Sequence, residues 1–488
     1  MMPAPMERAI SRLVDTEHDL IIVGGGIHGA CAAWDAAQRG LRVALAEADD
    51  FCGATSWNSL KTIHGGLRYL QSLDLRRMRE SIRDRRAWLR IAPALVHPLA
   101  FVAPANGSGK TGRQAFRIAL ALNDAIAADR NTGVDAERHL PRGRILDRDE
   151  ALTLFPQLAE QRVDAAALWY DGQVSSSERL VMGLLHAAHD AGAALANYVK
   201  VTGVIRDGSR IVGVQAQDRR TQSALAIRGR VVLSATGPGT DAMLQMAGIP
   251  ADTTPLLRAV NLVIGRRLLD AHALGSQLAG RFLFMAPWEG HTLVGTGYRP
   301  HTETSDEALA AEFLAEAQAA FPWATLTAGD VSLVHSGLVP GERDAHGLWS
   351  RDRIRDHARD GAEGLISVLG VKFTTARAVA ETAIDLVCRR LGRTAACRTA
   401  CTPLPWARQL AGSVPEMTRI AVTEEMALHT ADVVLRRTGF GAAGAPDATT
   451  VEAVSSTMAS LLDWDDTRVA YETHATLERA RLGRSASA

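Results

Sequence analysis

Residues 19–50, with the sequence DLIIVGGGIHGACAAWDAAQRGLRVALAEADD, decide the fold class of this chain. The run DLIIV is apolar and β-branched, which is typical of a strand covered on both faces. A G-x-G-x-x-G spacing follows, and the alanine-rich residues after it predict a helix from about residue 27 to residue 39. A second apolar run, LRVALAE, predicts another strand, which ends in Glu47. This order of strand, glycine turn, helix and strand predicts a Rossmann-type unit that binds a dinucleotide.

The glycines and the acid of this unit each have a chemical reason. The first glycine permits a tight turn, the second lets the backbone approach a pyrophosphate, and the third lets the helix pack closely on the strand. Free N–H groups at the start of the helix face the phosphates. A carboxylate at the end of the second strand accepts hydrogen bonds from ribose hydroxyls and would repel a 2′-phosphate. We therefore expect six residues to bind the dinucleotide: Gly24, Gly26, Ile27, His28, Gly29 and Glu47.

Two later stretches favour FAD over NAD as this dinucleotide. GRVVLSATGPGTDAML (229–244) predicts a buried strand that ends in Ala-Thr-Gly. GLISVLGVKFTTARAVAETAIDLVCRRLG (364–392) predicts a strand, a glycine and a long helix that begins near Thr374. The positive end of that helix would stabilise reduced flavin, which carries negative charge near its N1 and C2 carbonyl. A nicotinamide enzyme has no need of such a third element, so the sequence predicts FAD.

Composition narrows the class of protein further. The chain has 488 residues, of which 47% are hydrophobic and 22% charged, as in a soluble enzyme with two or three cores. Its 54 basic residues balance 54 acidic ones, so we expect no nucleic-acid partner. The cysteine pair in CRTAC (397–401) lacks a second pair at ligand spacing, so we expect no metal. Residues 1–18 lack the apolar segment of a signal peptide, and no apolar run is long enough to span a bilayer, which predicts a cytoplasmic protein.

TSWNSLKTIHGGLRYL (55–70) resembles the FAD-dependent glycerol-3-phosphate dehydrogenase family, the flavoenzymes related to the glycerophosphate oxidases. Residues 61–70 match the family's K-x-I-H-G-G-L-R-Y-L block almost letter for letter. Further family blocks follow in the right order: LRIAPALVHPLAFVAP (89–104), WYDGQVSSSERLV (169–181), SATGP (234–238) and GVKFTTAR (370–377). The resemblance spans nearly the whole chain after residue 18, and it identifies the chain as a divergent member.

The resemblance implies an α/β fold with three parts. One is a Rossmann-type FAD lobe like that of glutathione reductase, the second is an antiparallel β-sheet substrate lobe, and the third is a C-terminal helical domain. We expect an N-terminal arm over residues 1–18, the FAD-dependent oxidoreductase domain over 19–402 and the helical domain over 403–488. The FAD lobe is expected from about 19–75, 165–250 and 345–402, and the substrate lobe from about 76–164 and 251–344.

The resemblance also implies further cofactor contacts. Residues 55–67, which we call the flavin loop, supply seven of them: Thr55, Ser56, Ser59, His64, Gly65, Gly66 and Leu67. In this interpretation His64 contacts the flavin and is not the catalytic base. Later blocks supply eight more: Val201, Ala235, Thr236, Gly237, Gly370, Lys372, Phe373 and Thr374.

Oxidation of a secondary alcohol by flavin needs three things. The carbon-bound hydrogen must lie near flavin N5, a base must accept the hydroxyl proton, and cations must hold any anionic group. Arg68 is the leading anion-binding residue, because a guanidinium pairs bidentately with phosphate or carboxylate. We expect Tyr69 to orient the substrate beside it, and Lys372 to polarise the substrate oxygen or to stabilise the reduced flavin.

Three positions depart from the family pattern, and all fall in the expected substrate lobe. Asn261 stands where the family has a histidine, and an amide is no base near neutral pH. Val339 replaces an arginine, which should weaken phosphate binding by about 2 to 4 kcal/mol. Tyr298 replaces an acid. His335 or Tyr298 are the candidates for the missing base, and Arg258 or Arg343 for the missing anion contact; for each, a surface or packing role is the open alternative.

Three functions therefore stay open. The first is a dehydrogenase of glycerol metabolism that oxidises glycerol 3-phosphate or a related secondary alcohol and passes electrons to a quinone, to oxygen or to another acceptor. The second is a FAD enzyme for another hydroxy compound, an amine or an amino acid, whose carboxylate pairs with Arg68. The third is a catalytically inactive flavin-binding subunit.

The sequence also leaves membrane contact open. The helix predicted in LRRMRESIRDRRAWLR (75–90) carries Leu75, Met78, Ile82 and Leu89 on one face. That face either packs on the core or contacts lipid headgroups, so peripheral contact with the inner face of the membrane is an alternative to a purely cytoplasmic protein.

Overall fold

A computed structural model describes residues 5–106, 112–159, 163–250, 254–278, 280–301, 305–342, 348–349 and 351–480. The elements up to residue 174 are α1 (Ile10–Val14), β1 (His18–Val23), α2 (Ile27–Gln38), β2 (Val43–Ala46), β3 (Thr62–Ile63), α3 (Leu75–Ile91), β4 (Val96–Ala105), α4 (Arg113–Ile126), β5 (Arg144–Asp147), α5 (Arg148–Leu154) and β6 (Ala165–Val174). Those that follow up to residue 300 are α6 (Ser177–Asp190), β7 (Ala194–Ala196), β8 (Val199–Asp207), β9 (Arg210–Asp218), β10 (Ala224–Ser234), α7 (Thr240–Met246), β11 (Leu256–Ile264), β12 (His272–Leu278), β13 (Arg281–Trp288) and β14 (His291–Pro300).

The last third of the chain is mostly helical. Its elements are α8 (Asp306–Ala320), β15 (Val331–Pro340), β16 (Arg353–Asp356), β17 (Leu365–Leu369), α9 (Ala376–Arg390), α10 (Val414–Glu425), α11 (Thr430–Asp432), α12 (Ala448–Leu462) and α13 (Asp466–Ala480). A π-helical turn, Val433–Arg437, continues α11. Among the helices of the described ranges, none combines the length and the apolar character that a membrane crossing requires.

Eight strands of the described chain form a first sheet that carries the Rossmann unit. Its main path runs in the order β16-β17-β10-β1-β2-β7, and β9 pairs with β10 and β8. β1 lies at its centre and pairs in parallel with both β2 and β10. All six residues of β1 are buried, as the apolar run of the sequence predicts. Helices α2 and α6 pack against each other on this sheet, and α9 packs on α2. The predicted strand, helix and strand are thus confirmed.

Nine strands of the described residues form a second, mostly antiparallel sheet in the order β15-β11-β14-β13-β12-β4-β6-β3, with β5 on β6. β6 differs from the expected domain boundaries, which assigned residues 165–174 to the FAD lobe. It pairs along its whole length with β4, from Val96 opposite Val174 to Ala105 opposite Ala165. Its backbone hydrogen bonds are therefore made in the second sheet, and the strand lies there.

Most of the apolar face of α3 packs on the core. Met78, Ile82 and Leu89 are all buried. The indole N–H of Trp88 on the same helix donates a hydrogen bond of 2.8 Å to the carbonyl of Thr374, which ties α3 to the segment before α9. Leu75 alone of the four predicted residues is half exposed. The core-facing alternative is the one observed.

The C-terminal helices form their own apolar cluster and meet the first sheet through a buried ionic network. The carboxylate of Asp50, beyond the end of β2, accepts hydrogen bonds from the guanidinium groups of Arg436 and Arg437. Burial raises the pKa of Asp50, but the two guanidinium groups outweigh it and hold that pKa below its usual range. The hydroxyl of Tyr198 donates to Asp432 over 2.7 Å. These contacts fix the helical domain beside the carboxyl end of β2.

Candidate cofactor and substrate site

A cavity of about 1820 Å³ lies at the carboxyl ends of β1, β2 and β10. Ordinary small-molecule pockets enclose roughly 300–1,000 Å³, so this one has room for a dinucleotide and more. Most of the predicted cofactor residues line it: Gly24, Gly26, Ile27, His28, Glu47, Thr55, Ser56, Ser59, Val201, Ala235, Thr236, Gly237, Gly370, Lys372 and Phe373. The other six lie outside its wall: Gly29, His64, Gly65, Gly66, Leu67 and Thr374.

The glycine turn leaves no space for side chains. Gly24 has a φ of +110°, and a Cβ on it would lie 2.6 Å from the carbonyl oxygen of Ala235. A Cβ on Gly29 would overlap the carbonyl of Gly24, which explains why this residue packs beneath the turn and not in the cavity wall. The hydroxyl of Ser56 accepts a hydrogen bond of 3.0 Å from the amide of Ile27 at the start of α2. Backbone therefore forms this side of the cavity, as a pyrophosphate site requires.

Glu47, the residue expected to bind ribose, lies at the end of β2 in the cavity wall. Its carboxylate accepts hydrogen bonds from the backbone amides of Gly25 (2.6 Å) and Asp49 (2.9 Å), which fix the side chain at the end of β2. Burial raises the pKa of Glu47 in spite of these two bonds. Each carboxylate oxygen can accept a further hydrogen bond, and the residue lines the cavity.

His28 and Gly370 lie in close contact in the cavity wall. A side chain on Gly370 would overlap the imidazole of His28, so the backbone of residue 370 lies directly against the imidazole ring. Within the described part of the chain, His28 Nε2 is buried and has no hydrogen-bond partner. Burial lowers the pKa of His28, which keeps the imidazole neutral. An uncompensated buried polar atom in a cavity wall is typical of a ligand contact.

Lys61 anchors the flavin loop, a role that the sequence analysis missed. Its side chain is 1% exposed. The ammonium donates to the carbonyl of Trp57 (3.0 Å), the hydroxyl of Ser177 (2.8 Å) and the carboxylate of Glu178 (3.0 Å). Burial raises the pKa of Glu178, but the charge of Lys61 outweighs it and lowers that pKa overall. Lys61 and Glu178 both stand in the quoted family blocks, and only the three-dimensional pairing reveals their purpose.

Four predicted catalytic residues lie close together, and one of them, Lys372, lines the cavity. The ammonium of Lys372 lies 4.2 Å from the centroid of the Tyr69 ring, and Tyr69 itself is buried. Burial, reinforced by the charge of Arg68, lowers the pKa of Lys372 to about 8. Burial raises the pKa of Tyr298, and the nearby charge of Arg68 opposes that rise. Arg68 is exposed, so its guanidinium is accessible to an anionic ligand.

His335 lies behind the flavin loop and not at the cavity. Its Nδ1 is 3.3 Å from the carbonyl of Ser59, and its ring meets the Trp57 ring edge to face at 5.4 Å. Burial and the charge of Lys61 lower the pKa of His335 to about 3. Its partner across β11 is Asn261, whose side-chain oxygen accepts a hydrogen bond from Thr296. His335 is therefore not among the residues that line the cavity.

The two replacements considered for the missing anion contact have different outcomes. Arg258 lines the cavity together with Val339, the residue that replaces the family's arginine. Arg343 lies outside the described residues.

His64 is paired with a buried acid that the sequence analysis also missed. Its Nδ1 lies 3.9 Å from Asp171 Oδ2, while Asp171 accepts hydrogen bonds from Arg85 and, over 2.6 Å, from the amide of Gly65. Burial raises the pKa of Asp171, but the charge of Arg85 and the contacts of His64 lower it overall. The amide of His64 donates to the Thr374 hydroxyl, which joins the flavin loop to the third flavin segment. Asp171 falls in the quoted block WYDGQV, so its position was available but its partner was not.

Comparison with known proteins gives consistent similarities. Residues 19–386 match the family described as DAO, FAD dependent oxidoreductase. A glycerol-3-phosphate dehydrogenase of Synechocystis sp. is 31% identical over 424 residues, which cover 82% of this chain and 75% of the relative. Glycerol-3-phosphate dehydrogenase 2 of Mycobacterium tuberculosis is 32% identical over 397 residues, and these cover 78% of this chain but only 65% of the relative.

Solved structures share the fold. The glycerol-3-phosphate dehydrogenase from Bacillus halodurans complexed with FAD aligns with a TM-score of 0.74 at 22% identity and covers 97% of both chains. L-alpha-glycerophosphate oxidase from Mycoplasma pneumoniae with FAD bound aligns with a TM-score of 0.58 at 16% identity, over 80% of this chain and 100% of that chain. Glycine oxidase from Bacillus cereus aligns less well, with a TM-score of 0.52 at 17% identity over 76% of this chain and 95% of that one.

Proposed function

Since this chain is a member of the FAD-dependent oxidoreductase family, and within it of the glycerol-3-phosphate dehydrogenases, we propose that its substrate is glycerol 3-phosphate or a closely related secondary alcohol. The enzyme is an oxidoreductase with FAD as its cofactor. The observation that carries the proposed substrate is the cluster of Arg68, Tyr69 and Lys372, which joins an accessible guanidinium to a partly neutral amine beside the cofactor cavity.

FAD, when bound, accepts a hydride at its N5 atom. The chain's residues would hold it by backbone at the glycine turn, by the carboxylate of Glu47 and by the segment around Gly370. The Lys61–Glu178 ion pair keeps the flavin loop in place, because breaking a buried pair costs about 3–5 kcal/mol. These contacts preorganise the site, and a preorganised site can hold the substrate in the orientation that the reaction needs.

Arg68 binds the anionic group of the substrate. A guanidinium forms two parallel hydrogen bonds to phosphate, and such charge-assisted bonds contribute about 1.5–3 kcal/mol. Val339 offers no such bond at the position where the resemblance implies an arginine, so Arg68 carries more of the binding energy here. Arg258 lines the same cavity and is the candidate for a second contact to the phosphate.

Lys372 accepts the proton of the substrate hydroxyl. A base works best when its pKa lies near the working pH, and the pKa of Lys372 is lowered to about 8 by burial and by Arg68. His335 does not serve here in our proposal, because its ring is enclosed by Trp57 and the flavin loop. In this proposal His64, which is paired with Asp171, contacts the flavin, as the resemblance implies.

Steady-state turnover with an artificial electron acceptor tests the proposed substrate. Glycerol 3-phosphate is compared with glycerol, which has the same alcohol but no phosphate. We expect a much larger kcat/KM for the phosphate ester, and the difference should shrink in an Arg68→Ala variant. Equal kcat/KM values for the two compounds would contradict an anion site at Arg68.

A second candidate substrate class follows from Val339. The wall formed by Leu338 and Val339 is apolar and lies where the resemblance implies a phosphate-binding arginine. A hydroxy acid, an amine or an amino acid with a carboxylate on Arg68 and an apolar group on this wall would fit that change. Turnover of such small acids in the absence of glycerol 3-phosphate turnover would favour this candidate over the first.

We also propose that electrons leave to a quinone at a bilayer surface. The proposed contact is an apolar patch defined by four exposed side chains on the turn that follows Tyr69, at the start of α3 and on α4: Leu73, Leu75, Ile118 and Leu122. That turn packs against α4, since Leu70 and Ile126 share a cluster with Tyr69. The exposed arginines at positions 76, 113 and 117 flank the patch, which suits anionic lipid headgroups.

Sedimentation with vesicles tests the patch. Vesicles of phosphatidylglycerol and phosphatidylcholine should carry the protein down, and a Leu73→Asp/Ile118→Asp variant should stay in the supernatant. Equal sedimentation of the wild type and the variant would contradict membrane binding through this patch. Rapid reoxidation of the reduced enzyme by dissolved oxygen, with no effect of a quinone analogue, would contradict the acceptor.

A further inference from the structure

The cofactor cavity continues beyond the residues that the dinucleotide motif accounts for, into the C-terminal helical domain. Helix α13 contributes Arg468, Tyr471, Thr476 and Arg479 to its wall. The volume of about 1820 Å³ includes this compartment. Because α13 (residues 466–480) belongs to the C-terminal helical domain, that domain contributes directly to the cavity wall.

The hydrogen bonding of Thr476 indicates a ligand in this compartment. It is 1% exposed, and no described residue forms a hydrogen bond with its Oγ1. Threonines in helices usually donate to the carbonyl four residues earlier, as Thr423 and Thr457 do in the neighbouring helices. Thr473, one turn earlier on α13, donates to the hydroxyl of Ser455. Thr476 therefore lies in the cavity wall with a buried hydroxyl that forms no hydrogen bond to any described residue, and a buried polar group without a partner is a candidate for a ligand contact.

The compartment lies at the ribose end of the site and not at the ring end. The His429 ring, at the base of the helical domain, is 5.0 Å from the ring of Tyr198. Glu472 of α13 accepts a hydrogen bond from the backbone amide of Thr430, which fixes the helix there. Asp50, a short distance along the chain from Glu47, holds Arg436 and Arg437 of the same domain. Thr476 thus shares its end of the cavity with the carboxylate expected to bind ribose.

We propose that α13 forms one wall of the cofactor site and that the Thr476 hydroxyl binds the adenosine half of FAD. The C-terminal helical domain then contributes to cofactor retention, in addition to the Rossmann unit. The inference rests on FAD as the cofactor and is independent of which alcohol the enzyme oxidises. It uses a hydroxyl that the protein itself leaves without a partner among the described residues.

FAD release from the holoenzyme tests the proposal. Release after dilution is followed by the rise of flavin fluorescence, which needs no turnover. Thr476→Val should speed release roughly 2- to 10-fold, the range for loss of one neutral hydrogen bond. Thr473→Val is the matched control: it should lower the unfolding temperature, because it loses the bond to Ser455, and leave the release rate unchanged. Release from T476V at the wild-type rate would overturn the proposal.

Two further arms keep the result interpretable. If T476V is purified without flavin, Thr476→Ser, which retains the hydroxyl, should restore bound FAD and wild-type release; failure of T476S to do so would also overturn the proposal.

Calorimetry with ADP and the FAD-saturated enzyme separates the two sources of an adenosine group. We expect no binding of ADP, because FAD occupies the compartment. ADP binding to the wild-type holoenzyme that disappears in T476V would assign the hydroxyl to a free nucleotide and overturn the assignment to FAD.

Discussion

The ammonium of Lys372 lies 4.2 Å from the centroid of the Tyr69 ring. The guanidinium of Arg77 lies 4.4 Å from the same centroid, so two cations share one aromatic ring. Contact with an aromatic face stabilises a cation by about 0.5–2 kcal/mol, and more as water is excluded. The contact therefore positions the amine of Lys372 beside Arg68 while burial lowers its pKa to about 8.

The pH dependence of kcat/KM tests the assigned role of Lys372. The amine accepts a proton only when it is neutral, so kcat/KM should rise as pH increases through about 8 and then level off. Lys372→Met should remove this rise and lower kcat/KM by roughly 10²- to 10⁴-fold, the usual contribution of a general base. The measurement is a pH profile of both proteins under one set of buffers. The same inflection in K372M would assign it to another group.

A gain of affinity is expected from Val339→Arg. The side chain at this position lines the cavity, and an arginine there would add a charge-assisted contact to the phosphate. The KM for glycerol 3-phosphate should fall by roughly 10- to 100-fold, with little change for glycerol. Val339→Met, which has a long apolar side chain, is the control. Equal KM values for V339R and V339M would show that the phosphate lies elsewhere.

Gly24 and Gly40 provide a matched pair for the cofactor turn. Both have positive φ angles, +110° and +77°, so alanine is strained at each. Only at Gly24 would the new Cβ meet backbone, 2.6 Å from the carbonyl of Ala235; at Gly40 the described residues leave open space. Gly24→Ala should yield protein with little bound flavin, whereas Gly40→Ala should lose only about 1–2 kcal/mol of stability and stay yellow. Visible absorbance per mole of purified protein gives the answer.

The sequence was most informative where the structure depends on neighbours along the chain. The glycine turn from Gly24 to Gly29 predicts β1, α2 and β2 because local conformation and helix packing leave few alternatives. Contacts between residues far apart in the sequence were harder to predict from the sequence. The buried position of His335, between Trp57 and the carbonyl of Ser59, depends on strand register and on a loop far away in the sequence.

The roles of Lys61 and Asp171 were missed for the same reason. Lys61 and Asp171 are charged residues inside recognised blocks, and nothing nearby in the sequence shows that they are buried. Their partners, Glu178 and Arg85, lie on other elements. The contribution of α13 to the cavity is a further case, because a helical pattern does not reveal what lies against the helix.

Asp50 should control the stability of the C-terminal helical domain. Asp50→Asn removes the carboxylate that both buried guanidinium groups share and leaves Arg436 with Asp432 and Arg437 with the more distant Glu425, which should cost up to about 3–5 kcal/mol in the free energy of unfolding. Asp49→Asn is the control, since its pair with Arg219 is exposed and should contribute at most about 1 kcal/mol. Thermal unfolding of the three proteins measures the difference. Equal losses in D50N and D49N would contradict the role of the network.

The pH dependence of this network has a definite sign. The folded-state pKa of Asp50 lies below its unfolded value, so its stabilisation is present above the unfolded pKa and is lost as pH falls through the folded one. Glu425, whose pKa is lowered to about 2 because the charge of Arg179 outweighs burial, loses its contribution in the same direction. The unfolding temperature of the wild type should fall in acid more steeply than that of D50N.

Anaerobic reduction of the bound flavin tests the central claim most directly. The claim is that an anionic secondary alcohol reacts at the cluster formed by Arg68, Tyr69 and Lys372. Addition of glycerol 3-phosphate to the oxygen-free holoenzyme should bleach the visible absorbance of the flavin in a single turnover, and Arg68→Ala should need roughly 10- to 100-fold more substrate for the same rate. A flavin that stays oxidised in the presence of glycerol 3-phosphate, or one that is bleached equally in R68A, would contradict the account.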